Sequence, residues 1–369
     1  ESILDSLEAQ NFIKPFPIQE KAIPAILEGK DILGIAKTGS GKTASYALPV
    51  LTLLQKQNLS EKDRNADVLI VVPTRELAVQ VGDVFKLFSL GLKIPVRTIS
   101  VFGGVSINPQ MKSMYGVNVL IATPGRLLEL VDSKAVHLGK VKSLILDEAD
   151  KMLNLGFKDE MNRILGLLPR KRQNLLFSAT LSDDVNEINQ LILNEPLVVK
   201  IEEDSDNLDL IDQVGYFVSD EKKGPLLRHL IKENELKQVL VFTSSTYKAD
   251  NVAEKLRKHG IDAQAIHSKR SQGARTEGLR RFKAGQLPVI VATDLLARGI
   301  DIEFLPCVVN YELPRSPKDF VHRIGRTGRA ENPGKAITFV SEEDKHHFKV
   351  IQKKMKKWVA MIDTENLDF

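Results

Sequence analysis

The sequence has few features of a secreted, disulfide-stabilised or membrane-spanning protein. Its 369 residues include one cysteine, Cys307, which excludes an internal disulfide framework and any multi-cysteine metal site. The longest apolar runs, such as residues 69–72, have the length of strands, so we expect no segment that spans a bilayer. No signal peptide is visible, although the chain begins at Glu1, which leaves open whether a leader was removed. These features favour a reducing, cytoplasmic setting.

Neither positive nor negative charge predominates in the sequence. The formal net charge is +4, so any nucleic-acid site must come from the local placement of Lys and Arg. A hydrophobic content of 43% and a charged content of 27% are typical of a globular protein. The length suffices for two domains. Cys307 opens an apolar run at residues 307–309, which predicts a small buried hydrophobic residue there.

Apolar runs alternate with amphipathic helical stretches twice along the chain. In the first half, strands are predicted at residues 31–36, 67–72, 96–101, 118–122, 143–147 and 173–178. Residues 202–212 are acidic and poor in apolar side chains, which favours an extended linker. The pattern restarts with predicted strands at 238–242, 263–266, 289–292 and 308–311. This alternation predicts an α/β fold of two domains, each a mostly parallel sheet with helices on both faces, joined by a flexible linker.

Two segments of the first half point to nucleotide chemistry. The segment Ala36-Lys37-Thr38-Gly39-Ser40-Gly41-Lys42-Thr43 follows a predicted strand and precedes a predicted helix. In that context a glycine-rich loop and the helix N-terminus bind phosphate through backbone N–H groups. The second segment, Asp147-Glu148-Ala149-Asp150, directly follows a predicted buried strand. One of its carboxylates can hold Mg²⁺ while the other orients a water molecule, so we expect an NTPase.

Each segment alone has a structural alternative. The loop departs from the strict phosphate-loop pattern because Ala36 stands in place of the first glycine, and an ordinary loop with a helix cap would look similar. The two adjacent carboxylates would also suit a solvated strand end. Their occurrence together in one predicted parallel sheet favours the nucleotide site.

Further motifs resemble those of the DEAD-box ATP-dependent RNA helicases, in that family's order and over nearly the whole chain. The first half adds the segments Pro73-Thr74-Arg75-Glu76-Leu77-Ala78, Gly103-Gly104, Thr123-Pro124-Gly125-Arg126 and Ser178-Ala179-Thr180. The second half adds Val241-Phe242-Thr243, Ser271-Gln272-x-x-Arg275, Thr293-Asp294-x-x-Ala297-Arg298-Gly299-Ile300-Asp301 and His322-Arg323-Ile324-Gly325-Arg326-Thr327-Gly328-Arg329. The small core is similar to bacterial members.

The resemblance implies two tandem RecA-like domains. The expected bounds are 1–203 for an N-terminal ATP-binding domain, 204–212 for the linker and 213–369 for a C-terminal helicase domain. The segment from Asn11 to Gln19 resembles the family's adenine-recognition segment, with Asn11 and Phe16 at positions where the family has Gly and Thr. Gln19 would hydrogen-bond adenine and Phe12 would stack on it. The alternative is that both phenylalanines are core residues, which is the preferred interpretation for Phe16.

The resemblance also implies roles in hydrolysis of the ATP γ-phosphate. Lys42 would contact the β- and γ-phosphates, Thr43 and Asp147 would hold Mg²⁺ partly through water, and Glu148 would orient the attacking water. The remaining nucleotide-binding candidates are Thr38, Gly39, Ser40, Gly41, Gly299 and Asp301, with Asp301 at the ribose.

Four side chains would couple the nucleotide to the rest of the molecule: Asp150, Ser178, Thr180 and His322. Asp150 would accept hydrogen bonds from Ser178 and Thr180. Arg326 and Arg329, three apart in what we predict to be one helix turn, would act as arginine fingers, with His322 as their coupling residue. A solvated arginine-rich helix is the alternative for this last segment.

RNA binding would fall to small residues, hydroxyls and arginines that approach the sugar–phosphate backbone without contacting base edges. The candidates are Pro73, Thr74, Arg75, Gly104, Thr123, Gly125, Arg126, Thr243, Arg275, Thr293 and Arg298, of which Arg298 has an internal ion pair as its alternative. Two basic runs, 170–172 and 353–357, would extend this surface or form solvated helix faces, and the second alternative is the commoner one.

The sequence therefore predicts an ATP-dependent RNA helicase that acts as a monomer on single-stranded RNA and short duplexes, without base specificity and without a membrane partner. Possible protein cofactors are not indicated by the sequence. Two other functions stay open. A DNA translocase of the same superfamily would be stimulated by DNA as strongly as by RNA, and an ATP-gated RNA clamp would bind without productive unwinding.

Overall fold

The chain forms two units, residues 1–202 and 203–369. A computed structural model describes residues 2–9, 12, 14–36, 39–56, 63–90, 92–201, 211–294, 305–328 and 334–365. Most of the predicted linker lies outside these residues. Its last two positions, Ile211 and Asp212, belong to the first strand of the second unit.

The first unit is built on a seven-stranded sheet whose described pairings are all parallel. The strands are β1 (Ile32–Ile35), β2 (Val68–Val71), β3 (Thr98–Val101), β4 (Val119–Ala122), β5 (Ser143–Leu146), β6 (Gln173–Ser178) and β7 (Leu197–Lys200), in the order β3-β4-β2-β5-β6-β1-β7. The helices are α1 (Ser2–Ala9), α2 (Pro17–Leu27), α3 (Lys42–Gln55), α4 (Arg75–Ser89), α5 (Ile107–Ser113), α6 (Pro124–Asp132), α7 (Ala149–Asn154), α8 (Lys158–Gly166) and α9 (Asp183–Ile192).

Alternate strand residues of this sheet pack on opposite faces. In β2, Val68 and Ile70 join the core beneath α2, α3 and α4, whereas Leu69 and Val71 join the core beneath α6, α8 and α9. Because both faces are covered, the strands are continuous apolar runs, which is the pattern expected of a buried parallel sheet.

The second unit repeats this architecture with a sheet in the order β10-β11-β9-β12-β13-β8-β14, again with parallel pairings. Its strands are β8 (Ile211–Phe217), β9 (Val239–Thr243), β10 (Ala263–Ile266), β11 (Val289–Thr293), β12 (Cys307–Asn310), β13 (Gly334–Val340) and β14 (Ala360–Asp363). Its helices are α10 (Lys223–Glu233), α11 (Thr246–Lys258), α12 (Gln272–Lys283), α13 (Pro317–Ile324) and α14 (Lys345–Met355).

The predicted fold class is confirmed: two parallel seven-stranded sheets carry helices on both faces. All ten predicted strands are present, with ends that differ by at most two residues. Four strands, β7, β8, β13 and β14, were not predicted. Cys307 is fully buried, and burial raises the pKa of its thiol to about 12. None of the helices in the described residues has the length and apolar character needed to cross a membrane.

Parallel pairing places the carboxyl ends of the strands at one edge of each sheet. In the first unit β6 lies between β1 and β5, so the phosphate loop after β1 and the acidic segment after β5 are separated by one strand. Ligands of such sheets bind at this edge.

Candidate functional site

The phosphate loop opens α3 as the sequence predicts. Gly39 and Gly41 both adopt left-handed backbone conformations, with φ of 83° and 84°. A Cβ atom at Gly41 would lie 2.5 Å from Gln19 Nε2, so the loop also needs glycine there for close packing. Lys42 is buried, and its ammonium group donates to the Ala36 carbonyl at 2.8 Å, across the loop. Thr38 lies outside the described residues.

Tyr46 joins the two residues predicted to hold Mg²⁺. Its fully buried hydroxyl donates to Asp147 Oδ2 at 2.8 Å, while a hydrogen bond from Thr43 lowers its pKa. Burial and then the charge of Asp147 outweigh that effect and raise the pKa of Tyr46 well above its ordinary value. The sequence analysis missed Tyr46. The signal was its spacing, because it follows Lys42 by four residues and Thr43 by three on one helix and so shares their face.

Asp147 is held on both oxygens. Its Oδ1 accepts the Glu148 backbone N–H at 2.9 Å and its Oδ2 accepts the Tyr46 hydroxyl. Burial raises the pKa of the Asp147 carboxyl, and the nearby Lys42 cation opposes this shift. Each carboxylate oxygen retains acceptor capacity. With the Thr43 hydroxyl they form an oxygen donor set that suits Mg²⁺, which keeps several waters when proteins bind it.

Glu148 has a strained backbone. Its φ and ψ are 54° and 48°, a left-handed conformation that typically costs about 1–3 kcal/mol for a residue other than glycine. Its side chain is 6% exposed and accepts from Lys151 Nζ at 2.7 Å. Lys151, a second residue that sequence analysis missed, therefore neutralises the carboxylate predicted to orient water.

One of the two hydrogen bonds predicted for Asp150 is present. Thr180 Oγ1 donates to Asp150 Oδ2 at 3.0 Å, as expected. The expected bond from Ser178 is wrong, because the Ser178 hydroxyl donates to the Thr180 carbonyl at 2.8 Å. Ser178 is the last residue of β6 and its hydroxyl closes the turn that follows. The other oxygen of Asp150 is buried without a hydrogen-bond partner in the described part of the chain.

The adenine-recognition segment contacts the phosphate loop. Gln19 is buried, accepts from the Phe16 backbone N–H at 2.9 Å and donates to the Gly41 carbonyl at 3.1 Å. Phe12 is 43% exposed and packs edge-on against Phe88. The preferred assignment of Phe16 to the core is wrong, since its side chain is 47% exposed. Phe16 precedes the proline that starts α2, and its ring lies beside Gly41.

The RNA candidates of the first unit follow the carboxyl ends of β2, β3 and β4. Arg75 starts α4 after Pro73 and Thr74, and its guanidinium packs on Gly104, where a Cβ atom would clash. Gly104 is exposed and Gly125 is half-buried. Thr123 and Arg126 are buried, and Arg126 donates to Glu129 and to the Val105 carbonyl. Arg126 therefore has a structural role whether or not it contacts RNA.

In the second unit Thr243 and Thr293 end the neighbouring strands β9 and β11. Thr243 and Arg275 are buried, and Arg275 donates to Gln272 one helical turn away. Thr293 is half-buried. Arg298 lies outside the described residues, as do the nucleotide candidates Gly299 and Asp301 and the predicted arginine finger Arg329.

The arginine motif does not form one helix. α13 ends at Ile324, and Arg326 lies in the turn that follows. The predicted helix turn over this segment is therefore wrong. Thr327 makes a parallel bridge with Leu305, and its hydroxyl donates to the Leu305 carbonyl, so the backbone leaves the helical path. Arg326 is 8% exposed, and His322, on the last turn of α13, is half-buried.

Arg323, which sequence analysis did not single out, anchors this motif. Its guanidinium is 2% exposed and binds Asp294 through Nε and Nη2, the latter at 2.8 Å. Nη1 donates to the Glu312 carbonyl at 2.6 Å and to Asn310 Oδ1 at 3.2 Å. The group also stacks over Phe242, 4.9 Å from the ring centroid. Arg323 thereby ties α13 to the carboxyl ends of three strands.

Two family models match the chain. The model described as DEAD/DEAH box helicase matches residues 16–188, and that described as Helicase conserved C-terminal domain matches residues 222–331. The chain is 38% identical over all 369 residues to the ATP-dependent RNA helicase CshA of Listeria monocytogenes, and it covers 70% of that protein. It is 39% identical over 356 residues to the DEAD-box ATP-dependent RNA helicase CshA of Streptococcus pneumoniae serotype 4, covering 96% of this chain and 67% of that protein.

Solved structures agree with these matches. S. cerevisiae Dbp5 bound to RNA and ADP BeF3 has a TM-score of 0.82 at 30% identity, over 99% of this chain and 94% of that one. A DEAD box protein from the hyperthermophile Methanococcus jannaschii has a TM-score of 0.54 at 35% identity, over 98% and 96% of the two chains. Both sheets, their motif residues and these matches along nearly the whole chain show that it belongs to the DEAD-box family of ATP-dependent RNA helicases.

Proposed function

We propose that this helicase hydrolyses ATP with Mg²⁺, couples the hydrolysis to closure of its two units on RNA, and separates short duplexes or remodels RNA–protein contacts locally. The proposal rests on one observation: the Tyr46 hydroxyl is hydrogen-bonded to both Thr43 and Asp147, and Lys42 lies close to Asp147. This linkage supports a site where a phosphate-binding cation and two oxygen ligands face the same edge of the sheet.

In this proposal the phosphate loop binds the nucleotide. The backbone N–H groups of Thr38, Gly39, Ser40 and Gly41 contact the phosphates, and Lys42 leaves the Ala36 carbonyl for the β- and γ-phosphates. Gln19 recognises adenine while its contacts with Phe16 and Gly41 fix its position. Phe12 stacks on the base, and Gly299 and Asp301 bind the ribose side.

Thr43 and Asp147 hold Mg²⁺ in the proposed site, where the ion neutralises developing charge on the phosphates. Glu148 orients the attacking water and accepts its proton. The Lys151 ammonium holds the Glu148 carboxylate in place, so proton transfer requires that ion pair to lengthen. The Tyr46 hydroxyl keeps Asp147 from rotating.

Arg326 and Arg329 supply positive charge to the transferring phosphoryl group when the units close. An arginine finger is typically worth about 10³–10⁵ in rate, so hydrolysis depends on closure. Arg323 positions the segment through its bonds to Asp294 and Glu312. His322 couples the fingers to the Asp-Glu-Ala-Asp segment, where Thr180 holds Asp150 by a hydrogen bond.

Closure provides a limited free energy for strand separation. Moving a two-state element from almost wholly open to almost wholly closed takes about 5.5 kcal/mol. With the DNA stacking free energy of roughly 1.4 kcal/mol per step used in place of the RNA value, one closure offsets about four base pairs. We therefore propose local unwinding by a monomer that loads onto the duplex, in a cytoplasmic setting compatible with the buried thiol of Cys307.

The test is the ATPase rate of the full chain without nucleic acid, with single-stranded RNA and with single-stranded DNA. We expect strong stimulation by RNA and little by DNA. Equal stimulation by DNA would favour a DNA translocase. RNA binding that depends on ATP but shows no turnover would favour an ATP-gated clamp.

A further inference from the structure

The sequence segment from Lys345 to Ile362 contains six lysines, the chain's only tryptophan and no acidic residue. It spans α14 and the start of β14 in the second unit. Lys345 pairs with Glu342. By contrast, Lys349, Lys353, Lys354 and Lys356 form no ion pair with any residue in the described ranges, although all four are exposed.

These lysines repel one another. Lys349 and Lys353 are one helical turn apart, a spacing at which like charges destabilise a helix, and Lys354 and Lys356 add further positive charge at its carboxyl end. The carboxyl end of α14 favours cations and accounts for the presence of some positive charge. It does not account for the exposed tryptophan that follows.

Trp358 is 72% exposed, and its indole N–H has no hydrogen-bond partner among the residues that the structure describes. Its backbone is nevertheless fixed. On one side the Val359 N–H donates to Gln352 Oε1 at 2.8 Å, and on the other the Lys357 N–H donates to the Gln352 carbonyl at 3.4 Å. Gln352 and Val359 are both buried. A large aromatic face is therefore presented to solvent from a rigid backbone, although tryptophans are highly buried on average.

The surface formed by Lys349, Lys353, Lys354, Lys356 and Trp358 lies away from the RNA candidates of the same unit. Trp358 precedes β14 by two residues, so it lies at the amino edge of the parallel sheet. Thr243 and Thr293 lie at the carboxyl edge. β14 begins opposite Val214, the fourth residue of β8, and four strand spacings of about 4.8 Å separate β14 from β9, so the surface lies about 19 Å from Thr243 across the sheet.

We propose that this surface is a second RNA-binding site, which stacks one unpaired base on Trp358 and holds the flanking phosphates with the lysines. The proposal rests on RNA being the substrate of the helicase. A fixed aromatic face beside unpaired cations is the arrangement that binds single-stranded nucleic acid without base specificity. A strand long enough to reach both sheet edges binds more tightly than a short one, because the second contact is intramolecular.

Trp358 itself reports the interaction. Because it is the only tryptophan, quenching of intrinsic fluorescence by single-stranded U-rich RNA of about thirty nucleotides measures stacking at this surface. We expect quenching in the full chain without nucleotide. We also expect the logarithm of the binding constant to fall with the logarithm of salt concentration, by about 0.7 per phosphate contact.

Two charge variants are compared. Lys353→Gln/Lys354→Gln removes two of the proposed contacts, so the salt slope should decrease by about 1.4. The matched control, Lys255→Gln/Lys258→Gln, removes two exposed lysines from the last turn of α11 in the same unit and should leave the slope unchanged. Absence of quenching in the parent chain, or an equal slope change in both variants, would overturn the proposal.

Two aromatic variants separate stacking from charge. With labelled RNA, Trp358→Ala should weaken binding of the long strand roughly 5- to 100-fold, while Trp358→Phe should retain most of the affinity. The RNA-stimulated ATPase rate at saturating RNA should stay unchanged in both. If the parent chain is stimulated by RNA and Trp358→Ala binds long RNA equally well, this site is absent while the helicase function stands. Quenching by poly-glutamate but not by RNA would instead make the surface a site for an acidic protein.

Discussion

Replacing Tyr46 by phenylalanine removes one oxygen atom from the centre of the proposed ATP site. The hydroxyl is fully buried and donates at 2.8 Å to Asp147, which is itself 2% exposed. A hydrogen bond to a charged group contributes about 1.5–3 kcal/mol, and the carboxylate has no solvent to replace the lost donor. We therefore expect the first unit to lose about that much stability. For a domain of this size the loss corresponds to a melting temperature lower by roughly 3–12 °C.

Calorimetry of the full chain measures this loss, and the transition of the second unit is identified separately through the fluorescence of Trp358. Tyr115→Phe is the matched control, because it makes the same chemical change at a residue of the first unit that is 55% exposed. Its effect should stay below about 0.5 kcal/mol. We also expect Tyr46→Phe to raise the Mg²⁺ concentration needed for half-maximal ATPase activity. If Tyr46→Phe has the same melting temperature and the same Mg²⁺ requirement as Tyr115→Phe, the hydrogen bond from Tyr46 to Asp147 does not support the proposed site.

The remaining predictions concern turnover and pH. Glu148→Gln should bind ATP and RNA normally but stop hydrolysis, since an amide does not accept the water's proton; near-normal turnover in a steady-state assay would move this role elsewhere. Arg326→Ala should lower kcat far more than it weakens ATP binding, and an affinity defect with unchanged kcat would contradict the finger assignment. Burial raises the pKa of Glu312, but hydrogen bonds from Ser244 and Lys248 outweigh it and hold the pKa below the ordinary value of 4.5. That carboxylate stabilises the fold above its ordinary pKa and loses the effect as pH falls through the lowered one. Glu312→Gln should therefore lower the melting temperature at neutral pH, and the difference from the parent chain should disappear as the pH falls through the lowered pKa.

The strands that could be predicted are those buried on both faces, since these give continuous apolar runs. Two of the four that were missed, β7 and β14, lack this signal, whereas β13 is buried at six of its seven positions and its apolar run at 336–340 was overlooked. In β7 only Val199 is buried, and in β14 no residue is. The first two residues of β8, Ile211 and Asp212, were assigned to the linker because polar side chains lie near the start of the strand. Pairing with two neighbouring strands overrides that composition.

At the site, the sequence located the residues but not their contacts. The motifs place Lys42 after the loop that follows β1 and Asp147 directly after β5, and parallel pairing then brings both to one edge. The sequence did not predict the hydrogen bonds that are made within turns. The Ser178 hydroxyl bonds to the carbonyl of Thr180, two residues along the chain, and not to Asp150. Arg326 leaves the helix because Thr327 pairs with Leu305, a residue far away in sequence.

Strand separation as a function of duplex length tests the central claim most directly. Blunt and tailed RNA duplexes, from about ten to about forty base pairs, are followed by gel with excess ATP and a trap strand. If one closure offsets about four base pairs, duplexes of about ten pairs should separate, long ones should not, and tail polarity should have no effect. Efficient separation of the longest duplexes with a strict tail polarity would mean that the protein translocates, and would contradict local unwinding by closure.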